Sequence, residues 1–278
     1  MANFVVYQKT KVHYTDTGKG EAVVLLHGFL ENLNMWNDLV PHIAKSHRVI
    51  CIDLLGHGAS GGLKQAHSMQ MMAEVVHFVI NRLKLKQIIL IGHSMGGYVS
   101  LALLEKYASS VKAICLVNST AVADSENRKK KRLKAIQLVK NNHQHYITLI
   151  TSTFFSRDTA QQYENELNSL QHDALKMSPN DIIAAIKGMK ERKDRLKLFQ
   201  SCHLPKMVVL GKNDRIINFE LQQHKLELLE KQSQYKKDLL ENETKQILSY
   251  VNTIEDLKNN NFRLNQQLLE IETYKSKT

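Results

Sequence analysis

The stretch that decides the fold is "QIILIGHSMGGYVSLALLEKY", residues 87–107. A run of isoleucine and leucine passes into the pentapeptide G-H-S-M-G, residues 92–96, and then into a helical pattern of apolar residues. A strand that turns at once into a helix through G-x-S-x-G holds its serine on a tight turn at the carboxyl edge of a sheet, with the helix N-terminus aimed at it. The pattern therefore predicts that Ser94 is a nucleophile.

Short, nearly continuous apolar runs lie on both sides of this stretch, and helical segments separate them. The runs are residues 22–27, 48–54, 87–92, 111–118 and 206–211. Strands that are apolar on both faces and alternate with helices are typical of a parallel sheet covered on each side. Before them, residues 4–20 are predicted to form two short strands joined by a turn. The chain is therefore predicted to have an α/β fold with a mostly parallel sheet.

Between about residues 120 and 200 no apolar strand-like run occurs, and amphipathic helical patterns follow one another. We interpret this segment as a helical cap inserted between two strands of the sheet. The apolar run at 206–211 then resumes the core.

The composition changes again near residue 220, and from Lys212 to the end there is neither glycine nor proline. Apolar residues recur there with coiled-coil spacing, and an asparagine at one core position is a usual device for fixing register in a parallel dimer. The positions are Leu240, Ile247, Ile254, Asn261 and Leu268, with Tyr250, Leu257, Leu264 and Ile271 three residues later. We predict a domain at 1–222 and a coiled-coil tail at 223–278 that pairs two copies of the chain; the alternative is a long exposed helix packed on its own domain.

Composition narrows the class of protein. No apolar run reaches 18 residues, and the N-terminus lacks the pattern of a secretory signal, so we expect a cytoplasmic protein without a membrane partner. The widely spaced Cys51, Cys115 and Cys202 are expected to be reduced thiols rather than disulfides or metal ligands. Neither a cofactor nor a metal is expected.

The net charge of +11 raises the question of an acidic partner. Its one dense block is "RKKKRLK", residues 128–134, at the start of a helical segment. No base-stacking aromatics or known binding module accompany this block, so we interpret it as a solvated helix face and expect no nucleic-acid partner.

Three further motifs accompany Ser94 in a fixed order along the chain. They are "LLHGFLEN" at 25–32, "IDLLGHGAS" at 52–60 and "VVLGKNDRIIN" at 208–218. With G-x-S-x-G they make residues 1 to about 222 resemble the α/β-hydrolase superfamily, in particular its single-domain serine hydrolases with a helical cap.

The resemblance implies a role for four residues. Ser94 would be the nucleophile, Asp214 the triad acid, and the backbone N–H groups of Phe29 and Met95 the oxyanion hole. The implied activity is that of an esterase or thioesterase acting on a small carboxylic ester through an acyl-Ser94 intermediate. A serine nucleophile argues against haloalkane dehalogenase or epoxide hydrolase chemistry, whereas C–C hydrolases and lactonases share these motifs and stay open.

Three histidines close to these motifs are given other roles. His27 and His57 are expected to hold loop geometry by hydrogen bonding. The side chain of His93 is expected to point away from Ser94.

The triad histidine of the superfamily has no counterpart in this sequence. In this fold the order along the chain is serine, acid, histidine, yet the only histidine after Asp214 is His224, in a helical pattern with no strand before it. The tail thus replaces the last strand, the histidine loop and the last helix. A histidine on the third turn of that helical pattern would be carried away from the sheet edge. Two functions stay open: a serine hydrolase that acts through acyl-Ser94 without a family-position histidine, and a pseudoenzyme or fusion product that dimerises or binds partners through its coiled coil.

Overall fold

The computed structural model describes residues 3–155, 161–214, 216–217 and 245, and within them seven strands form one sheet. The strands are β1 Asn3–Tyr7, β2 Thr10–Thr17, β3 Glu21–Leu26, β4 His47–Ile52, β5 Ile88–His93, β6 Val111–Val117 and β7 Lys206–Val209. Their order is β1-β2-β4-β3-β5-β6-β7, with β3 to β7 parallel and the first two strands antiparallel. The predicted mostly parallel sheet is confirmed.

Helices separate the parallel strands. They are α1 Val40–Ile43, α2 Met69–Arg82, α3 Met95–Lys106, α4 Glu126–Thr151, α5 Glu164–Ala174, α6 Pro179–Lys190 and α7 Leu196–Ser201. Helices α4 to α7 all lie between β6 and β7, so the predicted helical insertion is confirmed. Asn142 interrupts α4 with a non-helical backbone, and its side chain accepts a hydrogen bond from the His145 N–H at 3.0 Å, which caps the second half of the helix.

Both faces of β3 and β4 are buried, as their continuous apolar runs predict, whereas Met207 and Val209 of the edge strand β7 are exposed, so the run at 206–211 does not resume the core as expected. In β3, Val24 and Leu26 pack into a cluster that includes side chains of α2 and α3, while Val23 and Leu25 pack with Trp36 on the opposite face. Burying one such side chain contributes about 1.5 to 3 kcal/mol. This two-sided burial fixes the carboxyl ends of the parallel strands, where the site residues lie.

The chain divides into two units, Met1–Gln222 and Gln223–Thr278, and the elements described above belong to the first. The coiled-coil register from 240 to 271, the dimer it implies and His224 lie outside the described residues, so they stay predictions. Within the described part of the chain, β7 is the last strand along the sequence and lies at the edge of the sheet.

The cysteines are free thiols, as expected, with Cys51 and Cys115 buried and Cys202 half-buried. Burial raises the pKa of Cys51 to about 11, which keeps this thiol protonated and unreactive at neutral pH. Among the helices that the structure describes, none is long and apolar enough to cross a membrane.

Two fully buried histidines tie together the loops after β3 and β4. The His27 ring donates from Nδ1 to the Gly28 carbonyl at 2.7 Å and accepts the Leu54 N–H at Nε2 at 2.9 Å, so it is neutral. His57 donates from Nδ1 to the Leu55 carbonyl at 2.9 Å, and burial lowers its pKa to about 3. These bonds agree with the expectation that both residues hold loop geometry.

The lowered pKa of His57 predicts a loss of stability in acid. Below about pH 6.5 the unfolded chain protonates His57 and the folded chain does not, so protons favour the unfolded state as the pH falls toward 3. The free energy of unfolding of the wild type should therefore fall between pH 6.5 and pH 4.5. In His57→Asn, which keeps a donor for the Leu55 carbonyl, we expect this fall to be about 2 kcal/mol smaller. Urea denaturation at the two pH values measures this. His145→Asn, at an exposed histidine, is the control, and an equal pH slope in wild type and His57→Asn would contradict the prediction.

Candidate active site

Ser94 lies on a strained turn between β5 and α3. Its backbone has φ 46° and ψ −111°, a conformation that costs a non-glycine residue roughly 1 to 3 kcal/mol and persists where the surroundings enforce it. Two hydrogen bonds hold the turn: the Ser94 N–H donates to the Val117 carbonyl at 2.9 Å, and the Ser119 hydroxyl donates to the Ser94 carbonyl at 2.7 Å. The serine is therefore presented by its backbone at the carboxyl edge of the sheet, as the sequence predicts.

The two flanking glycines are required by close backbone contacts. A Cβ at Gly92 would lie 2.5 Å from the Gly96 carbonyl oxygen, and a Cβ at Gly96 would lie 2.6 Å from the His27 carbonyl oxygen. Both are well inside van der Waals contact. The G-x-S-x-G spacing therefore lets α3 begin directly against the end of β3.

A cavity of about 660 Å³ lies over this turn. Ser94, Asp214 and Phe29 all line it, so three of the four predicted site residues face one space. Met95 is buried as the first residue of α3, where the backbone N–H groups of a helix start have no intrahelical partner. Within the described part of the chain, no acceptor is found for the Phe29 N–H either.

Asp214 is held at the cavity by its own loop and by β6. Its Oδ1 accepts the backbone N–H groups of Ile216 and Ile217, at 2.7 and 2.9 Å. Asn118, at the end of β6, donates its N–H to the Val209 carbonyl at 2.8 Å and accepts the Gly211 N–H with its side chain, also at 2.8 Å. Asn118 thus fixes the loop that carries the carboxylate, a role that its sequence context does not signal.

A half-buried pair, Glu31 and His93, also lines the cavity. Glu31 Oε2 accepts the Gly28 N–H at 2.6 Å and the His93 Nδ1–H at 2.8 Å. Burial opposes both charges, but the His93 ring lowers the pKa of Glu31, and the carboxylates of Glu31 and Asp214 raise the pKa of His93. The ring lines the same cavity as Ser94, and among the described residues its hydrogen bond goes to Glu31, so the expected orientation away from Ser94 stays a prediction.

We expect Glu31→Gln to lower the pKa of His93. The carboxylate that stabilises the imidazolium is lost, while the burial that disfavours the imidazolium remains. The change also weakens the bond to the Gly28 N–H and costs about 1 to 3 kcal/mol of stability. NMR titration of the imidazole nitrogens measures the pKa, with Glu191→Gln at an exposed position as control. An unchanged His93 titration in Glu31→Gln would contradict the pairing.

Asp53, the first residue of the D-x-x-G-H-G-x-S motif, organises the loops behind the site. Its Oδ1 accepts the Leu33 N–H at 2.8 Å, and its Oδ2 accepts the Ala59 N–H at 2.9 Å and contacts His13 Nδ1 at 2.7 Å. The motif therefore serves loop geometry, because Asp53 is buried and does not line the cavity.

The basic block of α4 is solvent-exposed at Lys131 and Lys134, as its interpretation as a solvated face predicts, but part of it also lines the cavity. Four of its seven residues line the cavity that contains Ser94: Arg128, Lys131, Arg132 and Lys134. The sequence cannot indicate this, because an amphipathic helix does not specify which element its polar face meets. Among the residues that the structure describes, no group of three or more His, Cys, Asp or Glu side chains is arranged to hold a metal ion.

Known proteins share this fold. A family model described as alpha/beta hydrolase fold matches residues 21–237. An esterase from Thermogutta terrifontis is 27% identical, with a TM-score of 0.71 over 76% of this chain and 80% of that one. An esterase from Exiguobacterium antarcticum is 23% identical, with a TM-score of 0.73 over 80% and 85% of the two chains.

Among curated sequences, an uncharacterized protein of Mycobacterium tuberculosis is 30% identical over 110 residues, which is 40% of this chain. The match spans about a third of that relative, 32% of its length.

Proposed function

Because this chain belongs to the alpha/beta hydrolase fold family, we propose that it is a serine hydrolase of the esterase or thioesterase type, with Ser94 as the nucleophile. The observation that carries the proposal is the strained backbone of Ser94, with φ 46°, at the floor of a cavity that Asp214 also lines. Backbone strain of this kind persists only where the surrounding structure enforces it, and such residues cluster at active sites. The likeness to the esterase from Thermogutta terrifontis supports an ester as substrate.

In the proposed reaction, the Ser94 hydroxyl attacks the carbonyl carbon of a small carboxylic ester, and the alcohol or thiol leaves as acyl-Ser94 forms. The negative charge on the carbonyl oxygen would be stabilised by the N–H groups of Phe29 and Met95, each worth roughly 3 to 4 kcal/mol. Water then attacks the acyl group and releases the acid. Asp214 would hold a histidine in the tautomer that accepts the serine proton.

The proton acceptor sets the rate of this reaction. Loss of the histidine base from a serine triad costs up to roughly six orders of magnitude in turnover. Two histidines are candidates in this chain: His93 in the cavity, and His224 after Asp214 in the sequence. We expect His224→Ala to leave acylation unchanged, because the helical pattern around it would carry the ring away from the sheet edge.

Intact-mass spectrometry after mixing the full chain with p-nitrophenyl butyrate tests the proposal. We expect a single butyryl adduct, located by peptide mapping on the peptide that contains Ser94, together with release of p-nitrophenol. Steady turnover that disappears in His224→Ala would identify His224 as the base. No adduct at all would instead favour the pseudoenzyme, with its function in the coiled-coil tail.

A further inference from the structure

One face of α4 forms a wall of the cavity over Ser94. Arg128, Lys131, Ala135 and Leu138 line the cavity at the spacing of neighbouring turns of a helix. The wall is therefore basic at the N-terminal end of α4 and apolar further along. Beyond the interruption at Asn142 it continues with Tyr146, Leu149 and Ile150, and Phe154 follows after the helix ends.

The basic end of the wall carries more positive charge than its surroundings neutralise. Asp124, whose side chain is fully buried, is shared by three guanidinium groups: Arg192 at 2.6 Å, Arg132 at 3.2 Å and Arg128 at 3.5 Å. A single carboxylate facing three arginines leaves a net charge of about +2 at this point. Lys131 adds to it, since no ion pair is found for its ammonium within the described part of the chain.

The acidic groups of the cavity are already engaged. Glu31 accepts the Gly28 N–H and the His93 ring, and Asp214 accepts two backbone N–H groups through Oδ1. In total, five basic side chains and two carboxylates of the described residues line the space, the fifth basic group being His93. A cleft of one sign concentrates ligands of the other sign, because its low-dielectric walls focus the field.

The apolar end of the wall presents large side chains to solvent. Leu138 is 42% exposed and Leu149 is 53% exposed, and both line the cavity. Exposed leucines on the inner side of a cavity favour a ligand with an apolar segment, because such a segment would remove their surface from water. The wall thus offers a cation-rich end and an apolar end within one space.

From this arrangement we propose that the substrate is a small ester or thioester that carries a carboxylate in addition to the scissile bond. This inference rests on the function proposed for Ser94. The carboxylate binds at the basic end of α4, near Lys131 and Lys134, and the hydrocarbon segment packs on Ala135 and Leu138. Arg128 and Arg132 contribute to the field while they remain paired with Asp124.

Three esters of equal chain length test the proposal. They are p-nitrophenyl hexanoate, the mono-p-nitrophenyl ester of adipic acid and p-nitrophenyl 6-aminohexanoate, which are neutral, anionic and cationic at neutral pH. We expect the anionic ester to acylate the full chain about tenfold faster than the neutral one at low concentration, with the cationic ester slowest. The preference should shrink as the salt concentration rises.

A matched pair of double variants assigns the preference to the cavity. Lys131→Gln with Lys134→Gln removes two charges from the lining, whereas Lys130→Gln with Lys140→Gln removes two charges from exposed positions of the same helix that do not line it. We expect the first variant to lose most of the tenfold preference and the second to keep it. Equal losses in both variants would mean that net charge alone steers the ester, and would overturn the proposed site.

Calorimetric binding of the three esters to Ser94→Ala separates this inference from the proposed function. If no ester acylates the wild-type chain, the proposal that Ser94 is a nucleophile is wrong. The affinities of the three esters for Ser94→Ala can still be compared by their charge. We expect the anionic ester to bind about tenfold more tightly than the neutral one. Equal affinities would overturn the inference, whatever the chemistry at Ser94.

Discussion

Replacing Ser94 with alanine is expected to abolish the acyl adduct and to slow the accompanying release of p-nitrophenol by at least about 10⁴-fold, because the Ser94 hydroxyl is the proposed acyl acceptor. The hydroxyl lies on a backbone with φ 46° and ψ −111°, at a place where Gly92 and Gly96 let the chain turn. Removing the hydroxyl leaves this backbone in place. The loss should therefore appear as lost chemistry without lost folding.

Ser125 provides the matched control, since it is the other serine among the described residues that line the cavity. Its hydroxyl accepts the Arg128 N–H as the N-terminal cap of α4, so Ser125→Ala should cost about 1 kcal/mol of stability and keep the adduct. Intact-mass spectrometry and thermal unfolding of the two variants measure both effects. An adduct that persists in Ser94→Ala would remove Ser94 as the nucleophile.

The second large effect is expected at Gly96, where alanine should destabilise the fold by about 3 kcal/mol. The added Cβ would meet two carbonyl oxygens at the end of β3, those of Leu26 and His27, the latter at 2.6 Å. Neither is the end of a flexible side chain, so α3 must shift away from β3. Because α3 begins one residue after Ser94, the same shift should also remove acylation.

Gly211→Ala is the control for this prediction. A Cβ at Gly211 would lie 3.6 Å from the Asn118 side chain, in ordinary contact, so this change should alter stability by less than about 1 kcal/mol. Chemical denaturation of both variants compares them directly. A Gly96→Ala chain as stable as Gly211→Ala would show that the elbow does not need the close approach of α3 to β3.

The sheet and the elbow could be predicted because their signals are local. An apolar run such as residues 22–26 specifies a strand buried on both faces, and the glycines of G-x-S-x-G specify a tight turn within five residues. The helical insertion follows from the long gap between two such runs. Asp214 was assigned from the resemblance of residues 208–218 to the acid segment of the superfamily, and it lines the cavity because the carboxyl ends of parallel strands meet at one edge of the sheet.

The place of the basic block of α4 beside the cavity could not be predicted, for a different reason. Its charges predict a polar face, and a polar face normally meets water. In the folded chain part of that face also lines the cavity that contains Ser94, because α4 packs with α6 in the insertion and Asp124 holds Arg128 and Arg132. The sequence thus gives the chemistry of the helix surface, but not what lies opposite it.

The sequence by itself determined the order of strands and helices and the turn at Ser94, because each depends on residues close together in the chain. The tertiary structure alone decided the partners of the site: Glu31 with His93, Asn118 with Gly211, and the basic end of α4 with the cavity. These pairs join residues 62 and 93 positions apart, or whole elements. Contacts at such separations arise only when the core brings the strand ends together, so no local pattern encodes them.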